Sequence, residues 1–467
     1  MTEASFTQHG MWIMERMGAG SAYHMPLTIH FAEPPERGRL AAAVTRLAER
    51  HPALTTAVEE RNGVPFLVPA ALRPALDAQP GDGPFDLDKG PLVRFNLQGD
   101  RLHVLAHHLI FDGQSKDVLV TDLAALLAGT ELAPLAAAAD FAAAQRERVA
   151  AQLEEAKEFW AARWREPGEV AVPGSRLRSR RAGEGAVLEF TLSPPALPGL
   201  TTFEVVLAAL HTLLRAYGNA RVTTAVDLST RTPAETGRIG AFVNEVPVVS
   251  EPGPETTFGE FATALRAELR QVYGFREVPV ARAIPGLRPH AALAPVSVSY
   301  RKAGPRVPGW EVEWLAFNQA VRGAFQLQLL DGPGVLSASL RYDPQELTDP
   351  GRVVADLREL LARIEPGLKL KDLTPFHELA VAESTEETVK ETAATDDPLI
   401  SEITAIWEEV LKFAPVEPDD DIFDLGGHSL TITQIIARIR KRVGVEIELD
   451  DFFDNPTIAG LVQVIRR

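Results

Sequence analysis

The stretch RLHVLAHHLIFDG, residues 101–113, decides how this chain is read. Residues 101–108 form a strand-like run, and an Asp112-Gly113 turn leads into helical periodicity over 114–128. Adjacent strand residues point to opposite faces, so only one of His107 and His108 can face a given cleft. A single histidine at such a place is ordinarily a core residue satisfied by its neighbours. A metal site is a weak reading, because no second histidine or acidic cluster stands at ligand spacing beside the pair. Taken as a whole, HHxxxDG is improbable by composition, expected in about one such chain in a thousand.

Working outward, further strand-like runs fall at 25–32, 91–98, 186–192, 221–228, 243–249, 295–301, 324–331 and 335–342. Helical periodicity marks 38–51, 141–164, 202–217, 257–274 and 351–364. The Gly-, Pro- and Arg-rich stretch 166–186 reads as a connector, which predicts two mixed α/β lobes, 1–176 and 177–376. Residues 377–396 are acidic and rich in Thr and Ala, and read as a mobile tether. The remainder, 397–467, changes character again. ISEITAIWEEVLKF is amphipathic, and a second helix puts Ile432, Ile435, Ile436, Ile439 and Val443 on one face. DDFF and TIAGLVQVIRR supply two shorter helices, so a small four-helix bundle is expected.

Composition narrows the function. The chain has 467 residues, room for roughly two to four folding units. Against 47 Lys plus Arg stand 64 Asp plus Glu, and the net charge of -17 argues against nucleic-acid binding and against docking on an anionic membrane. Residues 377–467 hold 20 acidic and 8 basic residues, so a net -12 of that charge sits on the tether and the small bundle. There is no cysteine, which removes disulfides, Cys-ligated zinc and a cysteine nucleophile; any working thiol must come from outside the chain. MTEASFTQHG lacks the basic start and apolar core of a signal peptide, and no uncharged apolar run reaches spanning length. A soluble, cytoplasmic protein is expected.

The segment DIFDLGGHSLTITQIIARIR places Ser429 where a glycine-containing loop meets a helix. On its own Ser429 reads as a helix cap, with Gly426 and Gly427 serving the turn. The wider pattern is Asp421, Phe423, Leu425, Gly426, Gly427, His428, Ser429 and Leu430, followed by DDFFDNPTIAGL. It resembles the attachment motif of peptidyl carrier proteins, and the resemblance covers 397–467. It implies 4′-phosphopantetheine carried on Ser429 through a phosphodiester and installed by a phosphopantetheinyl transferase, with His428 a surface neighbour. A helix N-terminus suits that phosphate.

HHxxxDG, in turn, resembles the signature of nonribosomal peptide synthetase condensation domains and their acyltransferase relatives. Other segments are similar to that family's motifs in the expected order: SFTQHGMW (Ser5, Gln8, Trp12), SAYHMPLTI, ERHPALTTAV (Arg50, His51), DFAAAQ at Asp140, and DLSTRTPAETGRIGAFVNEVP (Arg231, Gly240, Phe242, Val243, Asn244, Pro247). The resemblance spans most of 1–376 and implies two chloramphenicol-acetyltransferase-like lobes in a V-shaped pseudodimer, with a tunnel that carriers enter from opposite ends. Thr55, Phe111 and the segment REVPVARAI depart from the family pattern and leave substrate detail and tunnel shape open.

The implied reaction is attack by an amine on a thioester, giving an amide and a free thiol, with no metal and no ATP at this step. His108 is the residue the family implicates, as proton acceptor or as orienting group. Its ordinary pKa near 6.5 lies close to an α-amine's, about 7.7–8.0. Asp112 is implied to be structural, its carboxylate pairing with Arg50. Gly113 leaves space for an arm, and a backbone N–H near this turn can help an oxyanion. Arg231 and Asn244 are implied to be structural or tunnel-lining, and His107 to support the loop from the other face. A condensation domain followed directly by a carrier implies an acceptor on Ser429, a donor arriving in trans on another carrier, and a stand-alone adenylation enzyme that charges Ser429. Two other readings stay open: acyl transfer to a soluble amine or alcohol, and a catalytically silent scaffold presenting a carrier.

Overall fold

The strand expected at the histidine pair runs from Arg101 to His107 and lies inside a four-stranded sheet, between His24–Phe31 and Val93–Gln98. Both pairings are antiparallel, and the register sets His107 opposite His24 and His103 opposite Thr28 and Asn96. Strand alternation sends Leu102, Val104 and Ala106 into the core with Leu27, Ile29 and Phe95, which leaves His103, Leu105 and His107 on the other face. Two helices are packed together in this half, Arg37–Arg50 and Gly113–Leu127. The first is capped by the Glu36 carboxylate, which accepts from the N–H groups of Gly38 and Arg39, and it buries Leu40, Val44 and Leu47 at helical spacing. Each such buried side chain contributes about 1.5–3 kcal/mol.

The computed structural model describes residues 1–373 and 397–466 apart from 17, 62–63, 78–82, 136–139, 285–286, 288–291, 412–413, 423–424, 426–428, 448–451 and 453–454. The expected tether at 377–396 lies outside the described residues. Two compact units are present among the described residues, one within 1–283 and 292–373, the other within 397–466.

Within the large unit the two halves are interlocked. Trp310–Glu313, a short strand the sequence did not announce, adds to the edge of the first sheet beside His24–Phe31. Lys116 fastens this crossover from inside, its Nζ donating to the carbonyls of Pro26 at 2.8 Å and Trp314 at 3.0 Å. The second half forms a six-stranded sheet in the order 186–192, 335–342, 325–332, 296–302, 222–229, 243–250. Strand 296–302 runs parallel to both of its neighbours, and the other pairs are antiparallel. Helices Thr202–Ala216 and Phe258–Gly274 each begin with a reciprocal Thr/Glu cap. A helix at Phe6–Arg16 and a hairpin of Thr56–Arg61 with Val64–Pro69 complete the first half.

The small unit contains helices Pro398–Leu411, Ser429–Arg442 and Ile458–Ile465. Its core holds Ile403, Ile406, Trp407, Ile432, Ile435, Ile439, Phe452 and Leu461, with Ile436 and Val443 partly buried against it. Trp407 and Phe452 stack at 5.9 Å. Most of DDFF lies outside the described residues. Among the described residues no helix is long and apolar enough to cross a membrane.

Candidate active site and attachment serine

Because the strand stops at His107, the next three residues, His108–Ile110, close a single 3-10 turn. His107 is fully buried. Its Nδ1 accepts the N–H of Leu109 at 3.0 Å, which assigns the ring proton to Nε2. Nε2 in turn lies 3.0 Å from a Glu15 carboxylate oxygen, close but off the hydrogen-bond direction. The carbonyl of Leu109 accepts from Gln8 Nε2 at 2.8 Å, and Gln8 Oε1 accepts from Ser5 N. The N-terminal SFTQ segment therefore clamps the turn that presents His108. Phe111, the bulky departure from the family pattern, is fully buried in the core.

His108 differs from its neighbour. Its Nδ1 is sealed from solvent and has no hydrogen-bond partner. Tyr23 meets the ring edge to face at 6.1 Å. The residue keeps a partly exposed edge, yet enclosure of the ring pushes its pKa down to about 4 from the ordinary 6.5, against the pull of the Asp112 charge. The imidazole is thus neutral at neutral pH. A histidine-selective NMR titration should show the His108 ring holding its neutral signal down to about pH 5; a midpoint near the ordinary 6.5 would contradict the enclosure described here.

Asp112 caps the helix Gly113–Leu127, its Oδ1 accepting from the backbone N–H of Ser115 at 2.7 Å and from its hydroxyl at 2.8 Å. Both carboxylate oxygens also take Arg231 Nη2, at 2.8 and 3.0 Å, and Oδ2 accepts the N–H of Phe242 at 3.1 Å. The pair is enclosed, with side-chain exposures of 7% for Arg231 and 5% for Asp112. Arg231 Nη1 donates to the carbonyls of Glu235 and Arg238, and the guanidinium lies 4.5 Å over the Phe242 ring. Ser115 Oγ accepts from Gly240 N at 3.0 Å. The segment from Arg231 to Phe242 in this way wraps the Asp112 carboxylate and ties the second half of the large unit to the histidine loop.

This corrects the expected partner of Asp112, which is Arg231 and not Arg50. Arg50 Nε donates to Asp122 Oδ2 at 2.8 Å, and its Nη1 donates to Ala133 O at 2.7 Å. His51 Nε2 lies 2.8 Å from the same Asp122 oxygen. The reason is geometric. Arg50 ends a helix packed on Gly113–Leu127, and Asp122 stands nearly three turns beyond Asp112 along that helix, about 15 Å away. Asn244 is buried and donates to the carbonyl of Arg276 at 2.9 Å, bracing a loop and not the histidines. At Gly113 a Cβ would meet only Arg301 Cδ, at 3.9 Å, so no described residue fills that side of the turn.

In the small unit Ser429 is the first residue of a 14-residue helix. Gly426, Gly427 and His428 lie outside the described residues. The unpaired N–H groups of a first helical turn fit a phosphodiester on Ser429. When bound, the phosphopantetheine arm would supply the thiol that this cysteine-free chain lacks. Sequence reading missed Gln8 as the clamp, Ser115 as the second ligand of Asp112 and Tyr23 as the cover of His108. Gln8 and Tyr23 stand in the motif-like segments SFTQHGMW and SAYHMPLTI, whereas Ser115 has only its N3 spacing after Asp112 as a signal.

The family comparisons agree with this division. Residues 75–284 match the condensation domain family, and residues 401–465 match the family described as phosphopantetheine attachment site. Tyrocidine synthase 3 of Brevibacillus parabrevis is 28% identical over 311 residues, 59% of this chain but only 5% of that synthase. The crystal structure of the X-domain from teicoplanin biosynthesis aligns at a TM-score of 0.64 and 21% identity, over 79% of this chain and 96% of that one. The first condensation domain of the calcium-dependent antibiotic synthetase, solved with a substrate analogue, aligns at 0.63 and 17%, over 79% and 98%. At these identities the structural likeness shows the fold, and the mixed α/β large unit shares it. Residues 75–284 therefore belong to the condensation domain family, and residues 401–465, on their C-terminal side, to the phosphopantetheine attachment site family.

Proposed function

We propose that the protein forms an amide bond between an acyl or peptidyl thioester, delivered in trans on another carrier, and an aminoacyl acceptor held on Ser429. The observation that carries this reading is His108: a neutral imidazole that keeps a partly exposed edge, on a turn fixed from one side by Gln8 and from the other by Asp112 and Arg231. The partly exposed edge of the ring can take an N–H of the attacking amine and aim its lone pair at the thioester carbon. With its pKa near 4, His108 is a weak sink for a proton from an ammonium group, so orientation is the larger part of its role. Asp112 and Arg231 are then structural, His107 holds the turn, Gly113 leaves room for an arm, and Asn244 braces the wall. Arg50 supports the packing of the two helices and acts on the site only through them. A separate adenylation enzyme and a phosphopantetheinyl transferase are the partners this reading requires.

A partner-holding, non-catalytic role has one observation in its favour: a solved structure that shares this fold is the complex of the X-domain and OxyB from teicoplanin biosynthesis. The two readings separate on Ser429→Ala offered a phosphopantetheinyl transferase, a charging enzyme and a donor carrier. The variant is expected to gain no arm and to yield no amide, while wild type does both. An S429A variant that still makes amide would remove the carrier-bound acceptor from the scheme.

A further inference from the structure

Linked to His108 through Arg322 and Tyr23 stands a charged group that the HHxxxDG motif does not include. Asp227 and Glu245 face each other directly across neighbouring antiparallel strands, an arrangement of like charges that ordinarily costs stability. Glu245 is fully served: it pairs with Arg322, and its Oε2 accepts the N–H of Leu293 at 3.0 Å. Arg322 Nη1 donates to the hydroxyl of Tyr23 at 3.1 Å, and the Tyr23 ring is the one that covers His108. Among the described residues nothing donates to Asp227. Arg322 attracts both carboxylates but pairs directly with Glu245, so Asp227 is left without a hydrogen-bond donor and is linked to the histidine through Arg322 and then Tyr23.

We infer that Asp227 holds the ammonium group of the acceptor substrate and takes its proton, so that His108 receives a neutral amine to orient. The inference rests on the amide-forming reading above. In the step, the Asp227 carboxylate gains a proton as R–NH3+ becomes R–NH2. The amine lone pair then forms the C–N bond to the thioester carbon while the C–S bond breaks. The second amine proton leaves with the thiolate as a free thiol, and Asp227 returns its proton to solvent.

Charge supports this division of labour. The groups facing Asp227 among the described residues are Glu245 and Arg322, while Asp112, His107 and Arg322 act on His108. Burial first, and the Glu245 charge second, push Asp227 up to about 7. That value lies within about one unit of an α-amine, so proton transfer to Asp227 is nearly balanced, whereas transfer to His108 is uphill.

The test uses the full chain and a non-reacting probe: a glycyl amide of pantetheine, set against its neutral counterpart with hydroxyl in place of the amine. Calorimetry on wild type should show the ammonium probe binding about tenfold or more tightly than the hydroxyl probe, as for a charge-assisted contact. Asp227→Asn should erase the difference, and Asp227→Glu should keep most of it. In turnover with a soluble aminoacyl-pantetheine, the wild-type rate should fall above the pKa of the amine, while that of D227N should keep rising through it. Equal probe preference and equal pH profiles in D227N and wild type would overturn the inference. Should D227N not fold, wild type decides: ammonium preference that weakens as pH drops below about 7 supports the assignment, and preference constant from about pH 5.5 to 7.5 rejects it. Amide formation without any dependence on Asp227 would sink this inference alone. Asp227-dependent ammonium binding without amide formation would sink the condensation reading alone.

Discussion

Alanine in place of His108 should slow amide formation by about a hundredfold or more, and leave both the fold and the modification of Ser429 untouched. The ring's Nδ1 has no partner, so its removal breaks no internal hydrogen bond there, and Tyr23 loses only an edge contact. The loss should appear in the rate at saturating donor and not in donor affinity, because the residue acts on the amine as it attacks. Rapid-quench measurement with Ser429 already charged isolates that step. His107 makes the contrast. Its Nδ1 anchors the Leu109 N–H, so His107→Ala should loosen the turn and lower stability together with rate. A His108→Ala variant turning over at the wild-type rate would remove the histidine from the chemistry.

Asp112→Ala is expected to produce the largest loss of stability in the chain, about 3–5 kcal/mol. Three effects coincide: Arg231 is stranded as a buried cation, the helix Gly113–Leu127 loses its cap, and the N–H of Phe242 loses its acceptor. Arg231→Ala should be nearly as costly, and the double variant much less than the sum, because the two share one contact network. Arg50→Ala should behave differently. It leaves Asp122 with His51 still beside it and does not touch Asp112, so its cost should be smaller and independent of the other two. Urea unfolding monitored on the large unit measures all four. A loss below about 1 kcal/mol in D112A would mean that the pair is not the lock described here.

Periodicity carried the regular elements. Strands such as 186–192 and 335–342 and helices such as Arg37–Arg50 begin and end within a residue or so of where the pattern puts them, because each keeps a regular apolar period along its length. Elements that bury little were invisible. Trp310–Glu313 is only four residues long, too brief for alternation to register, although it joins the two halves. The hairpin 56–69 carries Asn62-Gly63 between two apolar runs, a turn signal that could have found it. At the site, HHxxxDG pointed to His108 and Asp112, but the choice of cation for Asp112 was beyond sequence. Arg50 and Arg231 carry the same charge, and only helix packing sends one to Asp122 and the other to Asp112. The low pKa of His108 and the facing of Asp227 by Glu245 depend on enclosure and strand register, which a linear chain does not display.

The central claim is that the product ends on this protein's own carrier. Intact-protein mass spectrometry measures it: modify Ser429, charge the arm with an amino acid, add a donor acyl carrier with free amines present, and weigh the chain. The expected result is that Ser429's arm gains the mass of the donor acyl group as the donor carrier loses it. Product released into solution, with the mass on Ser429 unchanged, would contradict it.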